Sequence, residues 1–402
     1  MDALLAISIV LLLMLASIMR KMSLDTTILI GVLSTSLLFG RITYLPADFL
    51  STITDYETIS LMLLVYLVFF LTNYMSNSGI MRQVVDSLQR MIADPRAILI
   101  AIPAIIGFMP VLSGAVISAP FADEVGKQTK LTKERRHIIN YWFRHISEYV
   151  NPVYPGVILA TSLLGVSFGK FLMANGPVMI FYILAGIIFF LLPIEKPKTE
   201  RKRLQATDAL TVTRGVAPIL IAVTLPAAFN IQLPIALAIA IIIAFILNPK
   251  AERNIRKLAK DSLKIDLLAL VILVMLFAKI LENTHAAGQI SQSLMNLGVP
   301  TTALLITIPM LVGFLTGLTL GYVGLTFPIL MPFMQQGGVV NMHYATLAFV
   351  SGYMGILLSP MHLCFSVTQK YFRADMRKSY KILLPPLVLT FLWTLIYVTV
   401  IM

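Results

Sequence analysis

The chain has 402 residues, of which 58% are hydrophobic and only 12% are charged, with a formal net charge of +12. Soluble domains carry roughly 25% charged residues, so this composition argues against a soluble globular protein and predicts an all-α protein that crosses a membrane several times. The basic residues stand in short loops between apolar segments, which is the distribution of cytoplasmic loops rather than of a nucleic-acid surface. The single cysteine, Cys364, excludes a disulfide framework.

Apolar runs approaching 20 residues predict spanning helices, and amphipathic runs predict helices at the membrane surface. In the first half, spanning helices are predicted over 3–19, 26–40, 58–77, 137–168 and 177–193, with a surface helix over 80–93. In the second half they are predicted over 214–229, 234–247, 265–282, 343–370 and 380–401, with a surface segment over 286–297.

Two further apolar stretches, 97–126 and 306–332, are interrupted by glycine, proline and serine. Hydrocarbon cannot satisfy the backbone groups that an interruption leaves open, so broken helices persist only inside protein or beside a water-filled cavity. We therefore interpret both stretches as re-entrant hairpins, the first with its tip at Val111–Gly114. Two of the spanning helices are also interrupted, at Asn151-Pro152 and at Ser359-Pro360.

These interruptions repeat along the chain. The pairs Gly107-Phe108 and Gly313-Phe314 lie 206 residues apart, and the two helix breaks lie 208 residues apart. The repetition predicts an internal duplication in which each copy holds five transmembrane helices and one re-entrant hairpin. An odd number of crossings in each copy inverts the second copy in the membrane, and the placement of lysine and arginine puts both termini outside.

The predicted domains follow from this duplication. The first repeat covers 1–193, with scaffold helices within 1–93 and the hairpin and broken helix within 97–193; a cytoplasmic linker covers 194–213; the second repeat covers 214–402, with scaffold helices within 214–297 and the hairpin and broken helix within 300–402.

The hairpin tips and helix breaks are the predicted binding site. A broken helix exposes N–H groups where one half begins and C=O groups where the other half ends. The N–H ends attract anions, and unwound carbonyls can bind sodium. The candidate substrate-binding residues are Ser113, Gly114, Asn151, Pro152 and Tyr154 in the first half, and Thr316, Gly317, Thr319, Ser359, Pro360 and His362 in the second.

Five charged or titratable residues are candidates for ion coupling. Asp123 and Glu124 end the first hairpin, where they could relay a proton or cation or simply face Lys127 and Arg136 as an interfacial pair. Within the long broken helix, Arg144 and Glu148 could neutralise one another at i,i+4 spacing. His145 and Glu148 could instead be a titrating pair or metal ligands. Two ligands without a third Cys or His nearby are a weak metal signal, so no metal site is predicted.

Three runs carry a resemblance to a known family: SGAVISAPFADE, INYWFRHISEYVNPVYPGVIL and GYMGILLSPMHLC. They resemble the domain of unknown function 401 family of prokaryotic integral membrane proteins, which is similar to gluconate permeases and the wider ion transporter superfamily. The resemblance covers nearly the whole chain. It implies a scaffold domain that holds dimer contacts and a transport domain of two hairpins and two broken helices that moves across the membrane like an elevator.

We therefore expect a secondary active transporter for a small anionic, carboxylate-type solute, coupled to Na⁺ or H⁺. The alternative is a cation/proton antiporter that uses Asp123, Glu124 or Glu148 and has no organic substrate. No nucleophile–base pair or metal-ligand set is complete, so we expect neither an enzyme nor a bound cofactor. The expected partners are the solute, the lipid bilayer of a prokaryotic cell membrane and a second copy of the chain, bound through the scaffold helices; no nucleic acid is expected.

Overall fold

The computed structural model describes residues 3–108, 114–195, 204–248, 254–286, 288–289, 293 and 298–402. In the first half, the helices are α1 (Ala3–Met19), α2 (Leu24–Leu38), α3 (Leu45–Ile53), α4 (Tyr56–Asn77), α5 (Ile80–Met91), α6 (Pro95–Gly107), α7 (Gly114–Gln128), α8 (Lys133–Arg144), α9 (Pro155–Leu164) and α10 (Phe168–Gly186). Short 3₁₀ turns cover Ile42–Tyr44 and Ile146–Tyr149, and a π turn over Ile187–Leu191 extends α10.

The second half of the chain is also helical. Its helices are α11 (Asp208–Phe229), α12 (Leu233–Leu247), α13 (Ile255–Ser262), α14 (Ile265–Asn283), α15 (Thr301–Thr316), α16 (Thr319–Met334), α17 (Met342–Leu358), α18 (Leu363–Phe372) and α19 (Met376–Ile396), the last extended by a π turn over Tyr397–Ile401. A two-residue antiparallel pair, β1 (Gln335–Gln336) and β2 (Val339–Val340), joins α16 to α17 through a turn at Gly337 and Gly338, both with positive φ.

Five helical stretches among the described residues are long and apolar enough to cross a membrane. They are Tyr56–Asn77, Phe168–Leu191, Asp208–Phe229, Met342–Phe372 and Met376–Ile401. Seven further apolar helices, α6, α9, α15 and α16 among them, have 10 to 17 residues. A straight helix needs about 20 residues to cross the hydrocarbon core, so these shorter helices suit segments that end within it or that rely on snorkelling ends.

Side chains at the helix starts explain several boundaries. Asp55 caps α4 by accepting hydrogen bonds from the N–H groups of Glu57 and Thr58, and Asn341 caps α17 in the same way. Ser167 accepts the N–H of Lys170 and starts α10 at Phe168, nine residues before the predicted start at 177. Such caps satisfy N–H groups that the first helical turn leaves open.

Some segments differ from the sequence-based prediction. The short helices α3 and α13 were not predicted, and α11 begins at Asp208, within the predicted linker 194–213. Residues 109–113, which include most of the predicted hairpin tip at Val111–Gly114, lie outside the described residues, as do part of the linker and most of the predicted surface segment at 286–297.

The surface helix predicted over 80–93 is present as α5. Its apolar face, which includes the buried Val84, packs on α11, where Gly215 leaves no room for a side chain: a Cβ there would lie 2.3 Å from Val84. Asp208, at the start of α11, is 1% exposed and pairs with Arg90 at 2.6 Å. The hydrogen bond to this carboxylate raises the pKa of Arg90. One apolar contact and one ion pair therefore fix α5 on the start of α11.

The helices pack in two groups. In the first group, α1 and α14 pack on α2, α11 and α4 pack on α12, and α4 also meets α14. In the second, α6 packs on α7 and α8, and α15 packs on α16 and α17. The second halves of the broken helices pack across the molecule, with α9 against α16 and α18 against α7. These contacts of α9 and α18 join the two halves of the chain within the second group.

Candidate site at the two helix breaks

The first break separates α8 from α9. After Arg144 the chain makes one 3₁₀ turn and then runs through Asn151 and Pro152 to the start of α9. Asn151 is 1% exposed, and its Oδ1 accepts the N–H of Val153 at 3.0 Å. Its Nδ2 donates to the carbonyl of Phe108 at 2.9 Å. Phe108 directly follows α6, and the last carbonyls of a helix have no partner within that helix. Asn151 at the break therefore caps the end of α6, the first arm of the predicted hairpin.

The second break, between α17 and α18, makes the same contacts with a different residue. Ser359 is fully buried, and its Oγ accepts the N–H of Met361 at 3.1 Å. The same hydroxyl donates to the carbonyl of Phe314, at 2.5 Å, in the last turn of α15. Each break therefore uses one short polar side chain to hold its own turn and to cap a neighbouring helix.

Glycines bring the helices of each half into close contact. A Cβ on Gly107 would lie 2.1 Å from the carbonyl oxygen of Arg144, and a Cβ on Gly313 would lie 2.1 Å from that of Gly352. Only glycine tolerates such an approach. The backbone of α6 therefore touches α8, and the backbone of α15 touches α17, at matching positions.

A buried ion pair lies at the first break. Arg144, 2% exposed, donates from Nη1 to Oε1 of Glu148 at 2.8 Å and to the hydroxyl of Tyr154 at 2.8 Å. Tyr154 in turn donates to the carbonyl of Gly107, which also accepts the hydroxyl of Ser147 at 2.7 Å. Arg144 and Glu148 are therefore paired, as their i,i+4 spacing allows. Through Tyr154 this pair is also connected to the end of α6.

The two breaks meet through a pair of histidines. Nε2 of His145 lies 2.9 Å from Nε2 of His362, and both rings are buried. Nδ1 of His145 faces the carbonyl of Tyr141 at 2.5 Å, and Nδ1 of His362 faces that of Gly317 at 2.7 Å. Oε1 of Glu148 lies 3.9 Å from Nε2 of His145. The breaks of the two halves therefore share one polar cluster.

Cys364 joins this cluster. One ligand atom from each of His145, His362 and Cys364 lies within 4.8 Å of the other two, and all three residues are buried. From the sequence alone, His145 and Glu148 were the possible metal ligands, and no third ligand was found near them. The missing ligands come from the other half, more than 200 residues away.

The other candidate substrate-binding residues surround this cluster or lie outside the described part of the chain. Ser113 is not among the described residues, and Gly114 is the first residue of α7. Thr316 donates its hydroxyl to the carbonyl of Val312 at 2.8 Å and so belongs to the end of α15. The remaining positions lie at the two breaks or at the α15–α16 turn: Pro152 and Pro360 in the breaks, and Gly317 (φ +64°) and Thr319 at the turn.

The turn between α15 and α16 touches both breaks. A Cβ on Gly156, in the first turn of α9, would lie 2.4 Å from the Thr319 side chain. A Cβ on Gly317 would lie 2.8 Å from the backbone nitrogen of His362. The start of α9, the start of α16 and the second break are therefore in contact.

Asp123 and Glu124 have different surroundings. Asp123 pairs with Lys127 at 2.6 Å and with Arg136 at 2.5 Å, which is the interfacial pairing that the sequence allowed as one alternative. Glu124 is exposed. The ion pairs of the described residues do not link either residue with Glu148.

Sequence reasoning missed two further residues around His145. Tyr141 lies one helical turn before it, with ring centroids 4.5 Å apart. Tyr353 is fully buried and donates its hydroxyl to the carbonyl of His145 at 2.9 Å. The 208-residue offset of the breaks could have identified Tyr353, because it relates Tyr353 to His145.

A polar cavity lies between the two helix groups. It has a volume of about 550 Å³ and lies where α4, α9, α14 and α16 meet. Its charged lining residues are Asp55, Glu57, Lys279 and Glu282. The cavity gives water a place between the first helix group and the helices that carry the breaks.

Residues 2–401 match the family described as "Protein of unknown function (DUF401)". The chain belongs to this family. The match confirms the resemblance carried by the three runs quoted above. No curated protein matches the chain.

The fold of this DUF401 chain is similar to the crystal structure of the YdaH transporter of Alcanivorax borkumensis, which was described as having an unusual topology. The TM-score is 0.57, the sequence identity is 13%, and the similarity covers 88% of each chain. At this identity the likeness establishes the fold alone.

Proposed function

We propose that this DUF401 protein is a secondary active transporter that moves a small anionic, carboxylate-type solute across the cell membrane, coupled to Na⁺ or H⁺. The observation that carries the proposal is the matched pair of helix breaks. Asn151 and Ser359 make equivalent hydrogen bonds to the carbonyls of Phe108 and Phe314. Broken helices at membrane depth form the binding sites of many secondary transporters. The fold shared with YdaH supports the same class.

The repeated contacts also support an inverted duplication with two re-entrant hairpins. The offset is 206 residues for the hairpin carbonyls and 208 for the side chains that cap them. The first arm of each hairpin has 13 or 16 residues, which is about 20 to 24 Å of helix at 1.5 Å per residue. A hydrocarbon core of about 30 Å is longer than either arm, so each hairpin can enter and leave on one side.

An elevator-like movement is consistent with the two packing groups. The first group corresponds to the scaffold, and the second, which holds the breaks, corresponds to the mobile transport domain. The 550 Å³ cavity lies between the groups and is lined by Glu57 on α4 and Ser162 on α9, among other residues. Alternation also requires that solute and coupling ion bind the two states with different affinity.

The contact between helix starts favours an anionic solute. The starts of α9 and α16 meet at Gly156 and Thr319, and the N–H groups of a first turn attract negative charge. Arg144 adds a guanidinium that can bind a carboxylate with two hydrogen bonds if Glu148 releases it. A competition between Glu148 and the solute for Arg144 would make solute binding depend on release of this ion pair.

A binding screen tests the proposed class of solute. The thermal midpoint of purified protein in detergent would be measured against mono-, di- and tricarboxylates and inorganic anions, with and without Na⁺. We expect at least one carboxylate to raise the midpoint by several degrees, and Asn151→Leu to abolish that shift. Gly176→Ala, where an added Cβ would meet no atom of another helix within 4 Å, is the matched control that keeps it. Stabilisation by inorganic cations alone would contradict the proposal.

A cation/proton antiporter is the second candidate, because Glu148 is a buried carboxylate only 3.9 Å from a histidine nitrogen. Proteoliposomes that contain a pH-sensitive dye separate the two functions. Proton movement driven by a Na⁺ or K⁺ gradient without any organic anion would favour the antiporter. In that case Glu148→Gln should abolish the movement, and Glu124→Gln, at an exposed position, should not.

The remaining proposals concern placement and assembly. From the distribution of basic loops we propose that both termini lie outside the cell, and that the scaffold helices form a homodimer. Exposed apolar residues such as Leu12 on α1 and Ile242 on α12 supply a surface for lipid or for the second copy. Accessibility of cysteines introduced at the exposed Lys21, on the proposed inner side, and at the exposed Lys170, on the proposed outer side, would test this orientation, and native mass spectrometry would test the dimer.

A further inference from the structure

We propose that His145, His362 and Cys364 bind one divalent transition-metal ion of the zinc class. The site lies where the two breaks meet, and its existence does not depend on which solute the protein moves. Zinc favours imidazole nitrogen and thiolate sulfur in a tetrahedral arrangement, and the three side chains offer two nitrogens and one sulfur.

The hydrogen bonds of the two histidines fix their tautomers. A carbonyl oxygen can only accept, so Nδ1 of His145 must donate to Tyr141 and Nδ1 of His362 must donate to Gly317. Both neutral rings then direct a lone pair from Nε2 toward the other, across 2.9 Å. Two lone pairs at this distance repel, so a cation at this point stabilises the arrangement.

Histidines that bind metals make the same kind of hydrogen bond from the ring nitrogen that does not touch the metal. Such a histidine almost always donates its second ring N–H to a carboxylate, a carbonyl or water, which orients the ring and raises its basicity. Here both rings have that support from backbone carbonyls, one in each half of the chain. The ligands are therefore oriented before any ion arrives.

The two nitrogens fit a metal after a small movement, and the Cys364 sulfur, which lies within 4.8 Å of them, must move closer to an ion that they share. Zn–N bonds of about 2.0–2.1 Å in a tetrahedron place two nitrogens about 3.3 Å apart. The rings would have to separate by about 0.4 Å from their present 2.9 Å. His362 precedes α18 in the loop of the second break, and Cys364 lies in the first turn of that helix. A shift of this short segment would adjust two of the three ligands together.

Glu148 lies outside the group of three ligands but next to it, and a movement of its side chain would make it the fourth ligand. Its Oε1 lies 3.9 Å from Nε2 of His145, within reach of an ion bound there. When the metal binds, Cys364 loses its thiol proton to the solvent as the sulfur–metal bond forms, so the affinity should fall at low pH. The thiolate offsets one charge of the divalent ion, and Glu148, which keeps its hydrogen bond to Arg144, offsets part of the second.

Metal binding by the purified full-length protein tests the proposal. We expect about one Zn²⁺ per chain by elemental analysis after incubation with Zn²⁺ and desalting. We also expect Co²⁺ to give tetrahedral d–d absorption together with a thiolate-to-cobalt charge-transfer band. Cys364→Ser should remove the charge-transfer band, and His362→Asn should weaken Zn²⁺ binding at least tenfold.

His343→Asn is the matched control, because His343 lies at the opposite end of α17 from the second break and should leave both signals unchanged. The thermal midpoint of each variant would be measured in parallel, so that loss of metal is separated from loss of fold. Absence of bound Zn²⁺ and of the cobalt spectrum in the wild-type protein would overturn the proposal and would assign the 2.9 Å contact to a shared proton. An equal loss of binding in His343→Asn would also overturn it.

Discussion

The two helix breaks make the same backbone contacts but contain different chemistry. Asn151 and Ser359 each hold an N–H two residues ahead and cap a hairpin arm. At the 208-residue offset, Arg144 and Glu148 correspond to Gly352 and Ile356. One break therefore holds a buried ion pair where the other holds a glycine and an isoleucine. The geometry of a break needs short polar side chains and glycine, whereas the charges serve some further purpose.

The largest expected effect comes from removing Arg144, whose positive charge has no counterpart at the second break. Arg144→Met leaves the Glu148 carboxylate buried without its partner and should lower the free energy of unfolding by about 3–5 kcal/mol. Replacing both residues, as Arg144→Met with Glu148→Met, should recover most of this loss, because the second break is stable without charges. The measurement is reversible denaturation in detergent. A double variant as unstable as Arg144→Met would mean that the first break needs its ion pair to fold.

The next effect tests whether the glycine contacts of the two halves are equivalent. Gly107→Ala and Gly313→Ala each place a Cβ 2.1 Å from a carbonyl oxygen. Each should lower the free energy of unfolding by about 1–3 kcal/mol, although alanine normally stabilises a helix relative to glycine by roughly 0.5–1 kcal/mol. A stabilised Gly107→Ala would contradict the close approach of α6 and α8.

An effect of similar size compares the capping side chains directly. Asn151→Ala and Ser359→Ala each remove a hydrogen bond to a hairpin carbonyl and one to a backbone N–H. We expect each to lower the free energy of unfolding by about 1–3 kcal/mol, with the two values within 1 kcal/mol of each other. Thermal midpoints would give a first comparison of the two variants. If only one of the two variants lost stability, the two side chains would contribute unequally to the free energy of unfolding despite their matching hydrogen bonds.

The sequence predicted the helix breaks well because their signals are local. Asn151-Pro152 and Ser359-Pro360 interrupt apolar runs, and the glycines before them recur at a fixed offset. The prediction was weaker where a boundary depends on a single capping side chain, as for Ser167 at the start of α10. It also missed α3, a nine-residue helix whose carboxylate Asp48 pairs with Arg41.

The composition of the shared cluster could not be predicted from the sequence. His145 and His362 are 217 residues apart, and a search for ligands along one helix pairs His145 only with Glu148. The contact depends on how the two halves pack, for which local periodicity carries no signal. Only the offset between the halves, which relates Tyr353 to His145, could have indicated a residue of the second half beside the first break.

The short separation of Arg144 and Glu148 along the chain has a consequence for the insertion of the protein into the membrane. Arg144 and Glu148 are separated by one helical turn, so the nascent first half can neutralise both charges as soon as that turn forms. Its insertion into the bilayer therefore does not have to wait for the rest of the polypeptide. The imidazole of His145 gains its partner only after the ribosome has added another 217 residues, which makes docking of His362 a late step of assembly.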